Sequence, residues 1–148
     1  MSNHEPLPFE TTIRVRDTCL CLNLQRAARA VARRFDELLR PSGLTSGQFS
    51  LLMSLNRAEP PTIRAVAALL AMDRTTLTAN LKPLERRRLV RVQVDQADRR
   101  NRRLVLSARG RAALIAALPA WEHGHAAIEP LLASQTAERL RADLRSLA

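Results

Sequence analysis

The sequence predicts a mainly α fold that carries one small β-hairpin, and three observations predict it. Hydrophobic residues make up 46% of the 148 positions and aromatic residues only 3%, so the core must come from aliphatic side chains. Apolar residues recur every three or four positions along most of the chain, which is the period of an amphipathic helix. One segment near residues 90–106 alternates every second position, as a strand does. This length fits one domain, alone or with a dimerisation extension.

The first predicted helix runs from about Asp17 to Arg40. Pro41 and Gly43 end it. Its apolar positions are spaced by three or four residues and lie at Leu20, Leu24, Ala27, Val31, Phe35 and Leu38.

Three shorter helices follow, and each begins at a capping residue. Thr45 and Gln48 form a capping box for the second helix, while Thr62 and Asp73 are the expected N-caps of the third and fourth. The third and fourth helices are short and joined by a tight turn, which predicts a helix-turn-helix.

Two positions near the end of the fourth helix are unusual. Pro83 lies inside the helix, where it removes one hydrogen bond, so we expect a local bend. Arg88 stands where a glycine commonly ends such a helix, so we expect a left-handed backbone there.

The strand pattern begins after this helix. Val90, Val92 and Val94 alternate with polar residues, which indicates a first strand. Residues 104–106, beyond a polar stretch, are the expected second strand, so we predict a β-hairpin with a charged tip. Ser107 caps a further helix, which Pro119 is expected to bend. A final helix is expected to carry Ile128, Leu131, Leu132, Leu140, Leu144 and Leu147.

The positive charge of the chain is concentrated in one segment. The formal net charge is +10, and residues 62–112 hold 13 Lys and Arg against 4 Asp and Glu. Of the 24 basic residues in the chain, 23 are Arg, whose guanidinium makes two-pronged bonds to phosphates and base edges. We therefore expect double-stranded DNA as the partner, ahead of an acidic protein or a membrane surface.

Signals for secretion or membrane insertion are not apparent. The first ten residues lack the basic and apolar regions of a signal peptide, and no stretch approaches the ~20 apolar residues of a membrane span. Two cysteines are too few for a secreted disulfide framework. A soluble cytoplasmic protein without a membrane partner is expected.

A helix-turn-helix followed by a basic hairpin predicts a winged helix. The stretches that make the pattern specific are LTSGQF at 44–49, MDRTTLT at 72–78, LERR at 84–87, DRR at 98–100 and LVLS at 104–107. Through them, and over roughly residues 17–148, the chain resembles the MarR family of transcription regulators. The resemblance implies a DNA-binding repressor whose first and last two helices interleave with a second copy, giving a homodimer on a near-palindromic operator. The corresponding segments are an N-terminal arm and dimerisation helix at 1–44, a winged helix-turn-helix at 45–107 and C-terminal dimerisation helices at 108–148.

The fourth helix is the expected recognition helix. Leu77, Leu81 and Leu84 form one stripe that must face the core, which fixes the opposite face as the DNA-reading face. Thr75, Thr76 and Ala79 are the base-edge candidates. The backbone-contact candidates are Arg74, Lys82 and Arg86, with Thr78 on the flank.

The hairpin tip is the second expected DNA contact. The resemblance assigns Arg100 to the minor groove and Asp98 to bracing its guanidinium, which a carboxylate two residues away can do. We assign Arg99, Arg102 and Arg103 to phosphates. The alternative for each of these charged residues is an ordinary solvated side chain on the surface.

Cys21 is a candidate redox residue. It lies 24 residues before Thr45, and the chain is similar there to peroxide-sensing relatives with a reactive cysteine at that spacing. Those relatives surround the thiol with tyrosines, whereas the matching positions here are Phe35 and Phe49. Cys19 is a possible resolving thiol, and the alternative for both cysteines is ordinary core packing.

Catalytic, cofactor and metal sites are not indicated. The sequence has no glycine-rich phosphate loop and no recognisable catalytic constellation, so we expect neither an enzyme nor a cofactor. His123 and His125 are spaced like the two cysteines, and such i, i+2 pairs on a helix point apart, so no metal site is expected. The family pattern suggests a small aromatic or lipophilic effector in the cleft between dimerisation helices and winged helix. The alternative function is a sequence-tolerant, architectural nucleic-acid-binding protein.

Overall fold

Residues 6–148, which the computed structural model describes, form seven helices and one two-stranded antiparallel sheet. The first five residues of the segment 1–44 lie outside the described residues. In chain order the elements are α1 (Phe9–Thr18), α2 (Leu20–Leu39), α3 (Ser46–Ser54), α4 (Ile63–Leu69), α5 (Arg74–Arg86), β1 (Val90–Val94), β2 (Arg102–Leu106), α6 (Ala108–Ile128) and α7 (Ala137–Arg145).

The N-terminal prediction of one helix from about Asp17 is wrong at its start. The chain is helical from Phe9, and the helix is interrupted at Cys19, whose backbone is extended with φ −71° and ψ 110°. Cys19 is the N-cap of α2, because its Sγ accepts the backbone N–H of Leu22 at 3.5 Å. A cysteine cap is not a recognised sequence signal for a helix start, which explains why the break was missed.

The predicted final helix was too long. Ile128 is the last residue of α6, and Pro130 lies in a 3-10 turn at Glu129–Leu131 that ends it. The last helix begins only after Thr136, whose hydroxyl oxygen accepts the backbone N–H of Arg139.

The predicted N-caps are confirmed. Thr45 and Gln48 form both bonds of the capping box at α3. Thr62, Asp73 and Ser107 cap α4, α5 and α6.

The transition from α5 into the hairpin also follows the sequence. Arg88 has a φ of 58°, as expected for a non-glycine residue at a helix end of this kind. Both α5 and α6 continue through their internal prolines, Pro83 and Pro119.

The hairpin is attached to the helical body at its base. Val90 pairs with Leu106, and the register continues to Val94 opposite Arg102. On the other edge of β2, the Leu104 N–H donates to the Pro61 carbonyl at 2.9 Å. The hairpin, called the wing below (residues 90–106), is therefore hydrogen-bonded to the loop between α3 and α4.

The core lies where α5 and β2 meet α2 and α3. It is aliphatic, as the composition required, and its fully buried side chains are Leu39, Leu51, Leu52, Val66, Leu77, Leu81, Leu84 and Leu104. Burial of the leucines of α5 confirms the predicted inward stripe and leaves the opposite face of that helix exposed.

Candidate nucleic-acid interface

The exposed face of α5 forms a shallow hollow. Its volume is about 370 Å³, and its lining consists of Arg74, Thr75, Thr78, Ala79 and Lys82. These are five of the seven residues predicted for the recognition helix. Of the other two, Thr76 lies in the first turn and Arg86 is exposed in the last turn.

The hydroxyl groups on this face differ in their partners. Asp73 accepts the Thr76 N–H at 2.7 Å and the Thr76 hydroxyl at 2.8 Å. The Thr78 hydroxyl donates to the carbonyl of Arg74 at 2.8 Å. Among the hydrogen bonds of the described residues, none involves the Thr75 hydroxyl, so it is free both to donate and to accept.

The Asp73 cap is ionised at neutral pH. Hydrogen bonds from Thr76, first from its backbone and then from its hydroxyl, lower the pKa of the Asp73 carboxyl from its ordinary value of 3.8. The carboxylate thus remains at the start of the helix, where it holds the first turn of α5 in place.

At the wing tip, Asp98 organises the chain around Arg100. One carboxylate oxygen of Asp98 accepts the Arg100 N–H at 3.1 Å and its Nε–H at 3.3 Å. The Arg100 side chain is nevertheless 91% exposed. The pair therefore holds an extended guanidinium in solvent, which is the arrangement the resemblance implies.

The remaining wing arginines are held to different degrees. Arg99 is exposed, and Arg102 donates from Nη1 to the carbonyl of Arg99 at 2.9 Å while remaining exposed. Arg103 is only partly exposed and is engaged within the protein, by Asp95 and by the carbonyl of Pro60.

A second hollow joins the wing to the helix-turn-helix. Its volume is about 330 Å³, and Arg74 and Arg102 line it together. Because Arg74 also lines the hollow on α5, the two surfaces are continuous. Three polar residues that line this second hollow were not among the predicted site residues: Thr62, Arg64 and Asn101. The position of Arg64 in the first helix of a helix-turn-helix, inside the basic segment, could have indicated it.

The cysteines lie at the start of α2, away from the predicted aromatic positions. Cys21 is exposed and its Sγ accepts from Gln25 Nε2 at 3.4 Å, whereas Cys19 is half-buried. Phe35 lies about 21 Å further along the same helix, given a rise of 1.5 Å per residue. Within one chain, Phe35 therefore does not adjoin Cys21.

Four rings form a cluster between α2, α3 and α6. The Trp121 ring lies 4.4 Å from the His125 ring and 6.1 Å from Phe49. The Phe35 ring lies 5.0 Å from that of His125. His125 is thus half-buried among aromatic rings, while His123 is exposed. Across residues 6–148, no three His, Cys, Asp or Glu side chains are grouped as metal ligands would be.

An apolar hollow lies between α3 and α6. Its volume is about 380 Å³, and the side chains of Met53, Leu114, Ile115 and Leu118 supply its apolar lining. Its polar side is formed by Arg111 Nη1, which donates to Asn56 Oδ1 at 2.6 Å.

Known proteins are similar to this chain in sequence and in fold. Residues 42–101 match a sequence model of the MarR family. MosR, a transcriptional regulator of M. tuberculosis crystallised in complex with DNA, is 40% identical with a TM-score of 0.78, over 87% of this chain and 92% of MosR. The chain belongs to the MarR family.

Two further members illustrate the range of the MarR family. CouR from Rhodococcus jostii RHA1, crystallised with bound p-coumaroyl-CoA, is 25% identical with a TM-score of 0.75, over 88% of this chain and 92% of CouR. The HTH-type transcriptional regulator TtmR of Methylorubrum extorquens is 34% identical over 95 residues, which are 64% of this chain and 49% of TtmR. The chain therefore spans about half the length of TtmR.

Membership of the MarR family confirms the predicted fold class, a winged helix-turn-helix with additional helices on both sides. It also shows the function class, a DNA-binding transcriptional regulator, and both MosR and TtmR are transcriptional regulators. None of the helices formed by the described residues is both long enough and apolar enough to span a bilayer.

Proposed function

We propose that the protein is a sequence-specific repressor that binds a near-palindromic operator as a homodimer. The observation that carries this proposal is the continuous basic surface formed by the exposed face of α5 and the wing. Arg74 joins the two parts, because it lines the hollow on α5 and also the hollow beneath Arg102. A helix for the major groove and an arm for the neighbouring minor groove are thereby presented together.

The roles on α5 follow from what each side chain can donate. Thr75, Thr76 and Ala79 are assigned to base edges, with Thr78 on the flank. The Thr76 and Thr78 hydroxyl hydrogens already have acceptors within the protein, so these two groups would accept bonds from bases, whereas Thr75 can also donate. Arg74, Lys82 and Arg86 are assigned to phosphates on either side.

The wing supplies the remaining contacts. Arg100, held extended by Asp98, is assigned to the minor groove, where a narrow groove concentrates negative potential. Arg99 and Arg102 are exposed and are assigned to phosphates. Arg103 is also assigned to a phosphate, but a phosphate would have to compete with its partners within the protein, Asp95 and the carbonyl of Pro60.

A second copy of the chain is proposed to cover the apolar side chains of the outer helices. On α2, Leu20 is 73% exposed, and Leu24 and Val31 are exposed on the same face of the helix. α6 and α7 carry further exposed side chains, including Ile115 and Leu144. Pairing of segments 1–44 and 108–148 with those of a second copy would remove this surface from water.

Two triggers for DNA release are proposed. A small aromatic or lipophilic effector fits the hollow between α3 and α6, where apolar walls face one polar edge formed by Arg111 and Asn56. CouR, with its bound p-coumaroyl-CoA, supports a small ligand of this kind in the family.

The second trigger is cysteine oxidation. An organic hydroperoxide would convert the Cys21 thiol to a sulfenic acid and be reduced to its alcohol, and condensation with the Cys19 thiol would release water and form a disulfide. The interruption of the helix at Cys19 supports this step, because Cys19 has an extended backbone and is not held on the same helix as Cys21. Hydroperoxide should then release DNA from the wild type and not from Cys21→Ser. Release from both would exclude Cys21 as the sensor, whereas unchanged DNA binding by the oxidised wild type, with its thiols consumed, would leave the effector hollow as the trigger.

The alternative function is a sequence-tolerant architectural protein, and the basic segment at 62–112 favours it as far as charge alone is concerned. Binding-site selection from a random duplex pool separates the two functions. A repressor should enrich one motif, and the enriched duplex should compete for the protein at least about a thousandfold better than random duplex, the lower end of the usual range of about 10³–10⁷ for specific over non-specific binding. Equal competition by both duplexes would establish the architectural function.

A further inference from the structure

The base of the wing contains a buried acidic residue that the DNA-reading assignments do not use. Asp95 follows β1 directly and is only 7% exposed. Its carboxylate faces the Arg103 guanidinium at two points: Nη2 donates a hydrogen bond to one oxygen at 3.4 Å, and Nε lies at an ion-pair distance of 3.2 Å from the other oxygen. This two-pronged geometry fixes the guanidinium plane as well as its position.

The same guanidinium reaches a third segment of the chain. Arg103 Nη1 donates to the carbonyl of Pro60 at 2.6 Å, in the loop that joins α3 to α4. The neighbouring backbone strengthens this attachment, because the Leu104 N–H donates to the Pro61 carbonyl and Thr62 forms a β-bridge with Arg103. Asp95, Arg103 and Pro60, called the wing clamp below, thus join both strands of the wing to the start of the helix-turn-helix.

The carboxylate of the wing clamp is well supplied with donors. Asp95 Oδ1 also accepts the Ala97 N–H at 3.1 Å. The hydrogen bond from Arg103, with a further contribution from Ala97, lowers the pKa of the Asp95 carboxyl from its ordinary value of 3.8. The Asp95 carboxylate is therefore charged at neutral pH.

Adjacent arginines of β2 serve different purposes in this geometry. Successive side chains of a strand point to opposite faces. Arg102 lines the hollow that it shares with Arg74 on the DNA side, while Arg103 points to the clamp. The orientation of the clamp therefore determines where Arg102 and, further along the wing, Arg100 are presented.

We propose that Asp95 and Arg103 are positioning residues, which set the angle between wing and recognition helix and so determine operator affinity without contacting DNA. This inference rests on the proposed function, since it concerns how the same surface is presented. It replaces the assignment of Arg103 to a phosphate, and it gives a role to an acidic residue that charge alone would make unfavourable beside DNA.

The substitution Asp95→Asn separates the clamp from simple charge. It removes a negative charge near the DNA, so a purely electrostatic surface would bind every duplex more tightly. If the clamp positions the wing, affinity for the duplex enriched by the wild type should instead fall about tenfold, the size expected from losing one charge-assisted hydrogen bond. Affinity for random duplex should change by less than twofold. Fluorescence anisotropy with both duplexes at one salt concentration measures these values.

A second variant keeps the inference testable if Asp95→Asn fails to fold. Arg103→Lys retains the charge, and a lysine at a phosphate contact should bind nearly as well as arginine. An ammonium group cannot span the carboxylate and the Pro60 carbonyl as the guanidinium does, so the clamp predicts a loss of about fivefold to tenfold on the enriched duplex. The double variant should lose no more than either single variant, because each removes the same unit.

Matched controls are available close to both positions. Glu59→Gln removes an exposed acidic side chain in the same loop as Pro60, and Arg109→Lys makes the arginine-to-lysine change on an exposed residue of α6. Both should leave the ratio of enriched to random affinity unchanged. Tighter binding by Asp95→Asn, or wild-type affinity of Arg103→Lys, would overturn the clamp. Failure of the wild type to distinguish the two duplexes would instead overturn the proposed function.

Discussion

The first turn of α5 shows how one capping residue alters the chemistry of its neighbours. Asp73 accepts the hydroxyl hydrogen of Thr76, and the carbonyl of Arg74, one turn earlier in the helix, accepts that of Thr78. Thr75 keeps both its donor and its acceptor and lies in the exposed hollow. We therefore expect Thr75 to contribute more to base discrimination than the other two threonines.

The substitution Thr75→Val removes the hydroxyl and keeps the shape of the side chain. Because a hydroxyl acts through particular base edges, affinity for the enriched duplex should fall about fivefold to tenfold, near the lower end of the ~1–3 kcal/mol expected of a base contact, with random duplex unaffected. Lys82→Ala should weaken binding to both duplexes and reduce the salt dependence by about one phosphate equivalent. Titrations at three salt concentrations measure both effects. An unchanged selected motif for Thr75→Val would mean that another residue reads the bases.

Residues with local partners were predictable, and residues with distant partners were not. Thr45, Thr62 and Asp73 cap helices that begin at the next residue, so their roles follow from sequence spacing alone. The partner of Arg103 is a carbonyl 43 residues away, and only the folded chain brings them together. The sequence therefore indicated the charge of Arg103 but not what the charge binds.

At the scale of elements, α6 and the residue that precedes the wing approach each other so closely that the first turn of α6 needs a glycine. Gly110 lies in the first turn of α6, and a Cβ added there would meet the carbonyl oxygen of Leu89 and come within 2.8 Å of Leu106 Cδ1. Leu89 immediately precedes β1, so this glycine allows α6 to pack where the wing begins.

Gly110→Ala should therefore destabilise the protein, by about 1–3 kcal/mol, as overpacking at a backbone contact does. Gly47→Ala is the matched control, because a Cβ at Gly47 meets nothing within 4 Å in α3. That control should stabilise the protein by about 0.5–1 kcal/mol, since alanine loses less backbone entropy in a helix. Urea unfolding measures both values. Similar effects of the two substitutions would show that the close approach at Gly110 is not required.

The starts of α3, α4, α5 and α6 were predicted well, because a side chain with a known capping chemistry marks each of them. The break at Cys19 and the late start of α7 escaped prediction for different reasons. A thiol is not a common cap, and the leucines near residue 131 continue a helical period that Pro130 interrupts.

At the scale of the whole molecule, the apolar side chains left exposed on α2 have no partner among residues 6–148. Their position on one face of an amphipathic helix was predicted from the sequence, and we propose that a second copy of the chain covers them. Leu20, Leu24 and Val31 together form a face that a second copy can bury.

Light scattering should give a mass of twice the 16.5 kDa of one chain at micromolar concentration. Leu24→Glu places a charge in the proposed interface and should produce a monomer, because a buried unpaired carboxylate is strongly unfavourable. Arg29→Glu changes an exposed residue of the same helix away from that face and should leave the dimer intact. A wild-type monomer would contradict the interleaved arrangement of segments 1–44 and 108–148.

Hydroxyl-radical footprinting on the duplex enriched by the wild type tests most directly whether docked helices and wings read the DNA. Two protected minor-groove patches should lie symmetrically about the centre, with half-sites one helical turn or a multiple of it apart. Arg100→Ala should lose these patches, whereas Arg145→Ala, on α7 outside the basic segment, should retain them. Uniform protection along the duplex, or equal losses for both variants, would show that general positive charge, and not docked helices and wings, drives DNA binding.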